Sequence, residues 1–187
     1  MKRPKLLLFL LLLASFFTFS DCKKNKPNNP VDELPPETQT GANTFGCLVD
    51  GKVFIPKGDP FGGPIKKAAY QFVNGGYYFN ISGSRSSGDE VSSVSVFGDS
   101  SIISVGSFNL GKRKVAGLMS GQYLYSKIGT LGNSYYTNEI NRGEIVVTKF
   151  DQTKQIVSGT FWFDAIDSTT GKIIQIREGR FDMPFVR

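Results

Sequence analysis

The stretch GEIVVTKFDQTKQIVSGTFWFDAI, residues 143–166, decides the fold class. Its second half, residues 156–166, alternates in character: Val157, Gly159, Phe161, Phe163 and Ala165 are apolar or small, and Ser158, Thr160, Trp162 and Asp164 lie between them. A period of two is typical of a strand with one buried face. Asp151-Gln152-Thr153 separates this run from the apolar run before it. The stretch therefore predicts two adjacent antiparallel strands, with Trp162 on the polar face.

Similar short runs extend outward on both sides. Asp50-Gly51 predicts a two-residue hairpin turn between strands 44–49 and 52–56, and Asn74-Gly75-Gly76 predicts a three-residue loop between strands 68–73 and 77–82. Gly117 and Gly121 argue against a helix in residues 112–126. Further strands are predicted at 91–97, 106–110, 172–177 and 180–185, with Glu178-Gly179 separating the last two. About nine or ten short strands indicate an all-β fold, either an antiparallel β-sandwich or a partly open barrel.

The composition excludes several classes of protein. The 187 residues include no histidine and two cysteines, so zinc fingers and histidine-based catalytic triads are ruled out. The net charge is +6, but Lys112-Arg113-Lys114 is the only tight basic trio outside the N-terminal region. Because the basic residues form no single stripe, the sequence predicts no nucleic-acid partner. It also predicts no cofactor.

The N-terminus has the layout of a secretory signal. Lys2, Arg3 and Lys5 precede the apolar run Leu6 to Phe19, and Cys22 follows. As a helix this run would span about 21 Å, which is short of a hydrocarbon core of about 30 Å. Residues 1–21 are therefore predicted to be a lipoprotein signal peptide. Phe19-Ser20-Asp21-Cys22 resembles a bacterial lipobox, which makes Cys22 the predicted lipid attachment site, and cleavage after Ser20 is the alternative.

Residues 22–43 are predicted to form the lipidated cysteine and a proline-rich, disordered tether. The segment contains four of the nine prolines, no aromatic residue after Cys22, and only a few aliphatic ones. Such a composition favours extended chain, which could hold the domain up to roughly 60 Å from the membrane. Residues 44–187 are then predicted to be a single β-sandwich domain.

Candidate chemistry is sparse. Gly106 to Lys112 spells most of a phosphate-binding loop, but Arg113 stands where the motif needs a hydroxyl. No calcium-loop spacing occurs in the sequence. No catalytic or metal-binding residues are therefore predicted, and the protein is predicted not to be an enzyme. The candidate acids and bases, which have no distinctive spacing, are Asp89, Glu90, Glu139, Glu144 and Asp164.

Two residues have alternative interpretations. Trp162, on a polar strand face, is a candidate ligand platform for sugar rings or aromatic partners. Alternatively, it packs under a loop or against a second sheet. Cys47 is interpreted as a small buried hydrophobe if Cys22 carries a lipid. If Cys22 is not lipidated, an oxidising periplasm could join the two cysteines.

Both ends of the domain resemble a known family. The family's opening resembles TQTGANTFGC at 38–47 and VDGKV at 49–53. Its closing strands resemble SGTFWF at 158–163 and EGRFD at 178–182. The family is that of uncharacterised DUF6252-like lipoproteins of Bacteroidetes. The resemblance implies an envelope lipoprotein with a β-rich domain. It brings no catalytic residues.

The sequence thus predicts a lipid-anchored, non-enzymatic module of the bacterial cell envelope, with a binding or structural role. Its expected partners are the membrane, through the anchor, and a glycan or an envelope protein. Lys23, Lys24 and Lys26 favour the periplasmic face of the outer membrane. The alternative is a soluble periplasmic enzyme that uses carboxylates to act on carbohydrate.

Overall fold

The computed structural model describes residues 29–59 and 63–187, which form eleven β-strands and one short 3₁₀ turn at Pro30–Glu33. The strands are β1 (Thr44–Val49), β2 (Lys52–Phe54), β3 (Lys66–Val73), β4 (Gly76–Ser87), β5 (Glu90–Gly98), β6 (Gly106–Leu110), β7 (Met119–Lys127), β8 (Asn133–Tyr136), β9 (Gly143–Asp151), β10 (Ile156–Ile166) and β11 (Ile173–Pro184). The prediction of an all-β fold is confirmed. Within the described ranges, no helix has the length and apolar character needed to cross a membrane.

The strands form one continuous sheet that curls on itself. Its order is β2-β1-β11-β10-β9-β6-β7-β5-β4-β3, and β8 pairs with both β7 and β10. The added strand closes a ring of five strands: β6, β7, β8, β10 and β9. Pairing is antiparallel except between β6 and β7, where Leu110 lies opposite Met119 in a parallel bridge. The result is a closed barrel core with further strands extending from it.

The C-terminal tail covers the outer edge of β3. The Tyr70 amide donates to the Val186 carbonyl at 2.8 Å, and the Val186 amide donates to the Ala68 carbonyl at 3.1 Å. Unpaired strand edges are prone to pair with other chains. The tail therefore occupies an edge that would otherwise be open.

The core lies between the inner faces of the curled sheet. Phe45, Phe79 and Phe163 are among its largest fully buried side chains. Phe45 and Phe161 are in contact, with ring centroids 5.4 Å apart. Gly121 on β7 leaves room for the Phe163 ring, because a Cβ at this position would lie 2.7 Å from that ring. Close packing of this kind explains why a glycine stands inside a strand.

Both predicted hairpins are present, and one is tighter than expected. Asp50 and Gly51 have φ values of 47° and 75°, as a two-residue turn with positive φ requires. In the second hairpin Val73 pairs directly with Gly76, so the loop contains only Asn74 and Gly75. The expected three-residue loop was therefore wrong by one residue.

The strand predictions need two corrections. β7 and β8 were not expected, although together they complete the barrel. The two strands predicted at 172–177 and 180–185 form the single strand β11, and Glu178-Gly179 is a bulge inside it. A polar residue followed by glycine is typical of a turn, but a bulge with one residue at positive φ has the same composition.

The residues before β1 also pack on the domain, and we call residues 29–43 the N-terminal strap. Asn29 caps the 3₁₀ turn by accepting a hydrogen bond from the Val31 amide at 3.1 Å. Leu34 is buried, and Pro35 lies where a side chain on Gly46 would otherwise project. Lys149 donates to the Gln39 carbonyl at 2.8 Å.

The strap is fixed by a single buried carboxylate, that of Asp182 on β11. It accepts hydrogen bonds from the Thr38 hydroxyl and from the amides of Thr40, Gly41 and Ala42. The predicted disordered tether was therefore wrong for residues 29–43. Low apolar content suggested disorder, but these hydrogen bonds hold the strap without a large apolar surface. Residues 22–28 of the predicted tether, like the signal peptide, lie outside the described residues.

Candidate ligand-binding groove at Trp162

Trp162 lies on the outer face of β10, as the alternation predicted. Val157, Phe161, Phe163 and Ala165 are buried on the inner face, whereas Trp162 is 43% exposed. The alternative position for Trp162, under a loop or against a second sheet, is not the one that the structure has. Ser158 shares the outward parity of Trp162 but is buried, because its hydroxyl donates to Asp182 at 2.7 Å beneath the strap.

A bulge in β11 shapes the groove. Phe161 pairs with Gly179 and Phe163 pairs with Ile176, so that Arg177 and Glu178 both lie opposite Trp162. Glu178 has a φ of 53°. Bulges reorient side chains in this way, and they are common next to functional sites.

Arg177 stacks on the indole of Trp162, with its guanidinium carbon 5.5 Å from the ring centroid. One of its nitrogens donates to the carbonyls of Phe163, at 3.1 Å, and Ile176, at 2.9 Å. A second guanidinium nitrogen donates to Asp164 at 2.6 Å. Such a partly exposed ion pair adds little stability. Its effect is to hold a planar cation in place beside the indole.

The opposite wall comes from β9. Glu144 pairs directly with Trp162 across the strands. Its neighbour Gly143 permits this close approach, since a Cβ there would lie 2.2 Å from the Trp162 carbonyl oxygen. Thr160, Arg180 and, from the strap, Glu37 complete a groove of about 430 Å³. Arg180 donates to Glu178 at 3.4 Å, so this arginine is already paired.

The groove combines an exposed indole with oxygen acceptors. An aromatic face packs against the apolar C–H face of a sugar ring, and carboxylates accept hydrogen bonds from hydroxyl groups. Glu37, Glu144 and Glu178 supply the carboxylates. The arrangement therefore suits a ligand that carries many hydroxyl groups.

Of the five carboxylates predicted as candidate acids and bases, two lie at the groove and three lie elsewhere. Glu144 lines the groove, and Asp164 is bound to Arg177 beside it. The other three have partners elsewhere: Asp89 pairs with Lys127 at 3.0 Å, Glu139 with Lys112 at 3.4 Å, and Glu90 accepts the hydroxyl of Tyr125 at 2.8 Å. No group of three or more potential metal-binding side chains occurs within residues 29–59 and 63–187.

Sequence reasoning missed Arg177, Glu178 and Glu37. The signal for the first two was the Glu178-Gly179 pair, which was interpreted as a turn. Glu37 reaches the groove only because the strap is ordered.

The structure also locates the phosphate-loop-like motif and Cys47. Residues 106–110 of the phosphate-loop-like motif form β6, a strand of the barrel ring. Cys47 is a free thiol without exposed surface, and burial raises its pKa well above the usual range. Cys22, the predicted lipid site, lies outside the described residues.

Fold and groove together define an all-β domain with a barrel core and a tryptophan-lined groove on its outer face. The chain belongs to the family described as Domain of unknown function (DUF6252), which it matches over residues 67–183. The matched range contains Trp162, Arg177 and Glu178. A search of curated proteins finds no match, and neither does a search of solved structures.

Proposed function

We propose that the protein is a lipid-anchored, non-enzymatic module of the bacterial cell envelope, which binds a glycan in the Trp162 groove. The observation that carries the binding role is the exposure of Trp162 between Arg177 and Glu144. The anchoring role depends on the N-terminal sequence and on the resemblance to lipoproteins of Bacteroidetes.

The anchor is Cys22. The basic start, the apolar run Leu6 to Phe19 and the cysteine after it are the arrangement expected of a lipoprotein signal. Because the strap packs from residue 29 onward, only residues 22–28 connect the lipid to the folded part. At about 3.3 Å per residue they reach about 23 Å when fully extended. The domain would therefore lie closer to the membrane than the sequence alone suggested, and Lys23, Lys24 and Lys26 would lie near the lipid headgroups.

The ligand of the groove is a neutral sugar. Arg177 and Arg180 are already bound to Asp164 and Glu178. The groups left to contact a ligand are therefore the indole, the Thr160 hydroxyl and the carboxylates of Glu37 and Glu144. These carboxylates would repel a negatively charged sugar. Sugar hydroxyls would donate to them.

The enzyme alternative has one observation in its favour, because Glu144 and Glu178 line the same groove as Trp162. Glycosidases use a pair of carboxylates to cleave the bond between sugars. Incubation of the protein with neutral oligosaccharides distinguishes the two functions. A binding module leaves the substrate intact, whereas an enzyme releases shorter products, and Glu144→Gln would abolish their release.

Labelling with radioactive palmitate tests the anchor. We expect the full chain to be labelled and Cys22→Ala to lose the label. Cys47→Ala is the matched control, since it removes the other cysteine and should remain labelled. Equal labelling of the Cys22 variant would contradict the anchor.

Digestion of intact cells with protease tests whether the domain faces the periplasm. Removal of the domain by the protease would contradict the periplasmic location.

Calorimetric titration with a panel of neutral envelope glycans tests the groove. We expect Trp162→Ala to weaken binding by about ten-fold or more, because stacking on an aromatic ring contributes a large share of sugar affinity. Phe72→Ala is the control, as Phe72 is a 65% exposed aromatic residue outside the groove. Equal affinity of the Trp162 variant and the wild type would exclude the groove as the binding site.

A further inference from the structure

A second group of aromatic, amide and basic side chains lies on a different outer face, formed by β4, β5, β7 and β8. Three aromatic rings, Tyr78, Phe97 and Tyr136, line a depression of about 320 Å³. Its other lining residues are Asn80, Asp99, Arg113, Lys114 and Gln122. The Trp162 groove is formed by β9, β10, β11 and the strap, so the two sites share no residue.

A row of hydrogen bonds across three strands organises this depression. Ser95, Gln122 and Tyr136 are direct neighbours on β5, β7 and β8. The Ser95 hydroxyl donates to the Gln122 side-chain oxygen at 3.2 Å, and the Gln122 amide donates to the Tyr136 hydroxyl at 2.6 Å. Since this hydroxyl oxygen already accepts a hydrogen bond, its proton remains available to donate to a ligand.

Arg113 supplies the positive charge. Its guanidinium carbon lies 4.3 Å from the centroid of the Tyr136 ring. Across residues 29–59 and 63–187, no carboxylate lies within ion-pair distance of Arg113 or Lys114. This differs from the Trp162 groove, where both arginines are paired. A planar, stacked guanidinium without a partner matches the geometry of a carboxylate.

From this geometry we infer that the depression binds an acidic sugar, a uronic acid unit whose carboxylate lies against Arg113 and Lys114. The sugar ring packs against the tyrosine and phenylalanine rings, while Asn80 and Gln122 contact its hydroxyls. Asp99, which also lines the depression, accepts a hydroxyl. Burial, and then the charge of Asp99, raise the pKa of Tyr78, which keeps this phenol a hydrogen-bond donor.

The same face continues beyond one sugar unit. Ser93, Leu124 and Ser134 lie two residues further along β5, β7 and β8, and they line an adjoining depression of about 380 Å³. Residues two apart on a strand share a face and lie roughly 6.7 Å from each other. A chain of sugar units, with a uronic acid unit at Arg113, therefore fits this face better than a single sugar.

Calorimetric titration of the full chain with tetragalacturonate tests the inference. We expect binding that weakens as salt is added. In the Trp162→Ala variant, whose neutral-glycan groove is disabled, we expect no binding of the fully methyl-esterified tetramer, in which uncharged methyl esters replace the carboxylates. Arg113→Gln should weaken binding by about ten-fold or more, as expected when a charge-assisted hydrogen bond is lost. Tyr136→Phe keeps the ring below Arg113 and removes only the hydroxyl, so its loss should be about three-fold.

Two further variants complete the test. Lys172→Gln removes an exposed charge from the turn before β11 and should bind normally. Trp162→Ala should also bind the acidic tetramer normally, which distinguishes this site from the proposed neutral-glycan groove. Equal binding of the acidic tetramer by wild type and Arg113→Gln would overturn the inference. So would equal binding of the acidic and esterified tetramers by Trp162→Ala, or loss of acidic-tetramer binding in Trp162→Ala alone.

Discussion

The hydroxyl of Thr38 donates a hydrogen bond of 2.6 Å to Asp182, although 144 positions separate the two residues in the chain. The Asp182 carboxylate has no exposed surface. Burial raises its pKa, but the hydrogen bonds from Thr38, Ala42, Ser158 and Gly41 lower it by more, so that the pKa lies well below its usual range. The ionised carboxylate is therefore the form that fastens the strap to the last strand.

Replacement of Asp182 by asparagine should destabilise the domain at pH 7 by about 2 to 4 kcal/mol, because several charge-assisted hydrogen bonds are lost together. Since folding lowers the pKa of Asp182, its contribution is complete above the pKa of the unfolded chain, about 3.9. It is lost as the pH falls from there towards the folded-state value. Urea unfolding of the two proteins should therefore give curves that converge below about pH 4.

Asp89→Asn is the control for this prediction. Asp89 forms one exposed ion pair with Lys127, so we expect a change within about 0.5 kcal/mol. Equal stability of wild type and Asp182→Asn at pH 7 would show that the strap is not fastened by this carboxylate.

Gly51→Val should destabilise the domain by about 1 to 3 kcal/mol, through backbone strain. Gly51 has a φ of 75°, and a Cβ there would meet no atom within 4 Å, so the cost does not come from a clash. Gly111 is a matched control, because a Cβ there is equally unhindered and its φ is not in the strained region. Thermal unfolding should show a lower Tm for Gly51→Val and an unchanged Tm for Gly111→Val. An unchanged Tm for Gly51→Val would contradict a strained turn.

Trp162 reports directly on the candidate groove, because it is the only tryptophan. With 43% of its surface exposed, we expect red-shifted emission that acrylamide quenches readily. Addition of a neutral glycan that binds should shift the emission and slow the quenching. Blue-shifted emission that is protected from acrylamide in the free protein would be inconsistent with an open groove.

Cys47 should be unreactive in the folded protein. Burial raises the pKa of its thiol, and the thiolate is the reactive form. In the Cys22→Ala variant, where Cys47 is the only thiol, we expect Ellman's reagent to react at pH 8 only after urea is added. Rapid, stoichiometric reaction in buffer alone would show that the strand around Cys47 opens, which would also make a disulfide with Cys22 feasible.

The sequence by itself determined the features that depend on neighbouring residues. The alternation along residues 156–166 placed Phe161 and Phe163 inside and Trp162 outside, because successive side chains of a strand point to opposite faces. Asp50-Gly51 predicted its turn, because the conformation of a two-residue turn depends on those residues themselves.

Tertiary structure decided what depends on distant partners. Gly121 argued only against a helix in its segment, whereas in the folded sheet its missing side chain is what admits the Phe163 ring from another strand. Glu178-Gly179 has the composition of both a turn and a bulge, and only pairing with β10 on one side and β1 on the other selects the bulge. The strap looked disordered because the group that orders it, Asp182, lies at the other end of the chain. Local composition carries no information about such contacts, since the hydrogen bonds and the packing arise only once the sheet has closed.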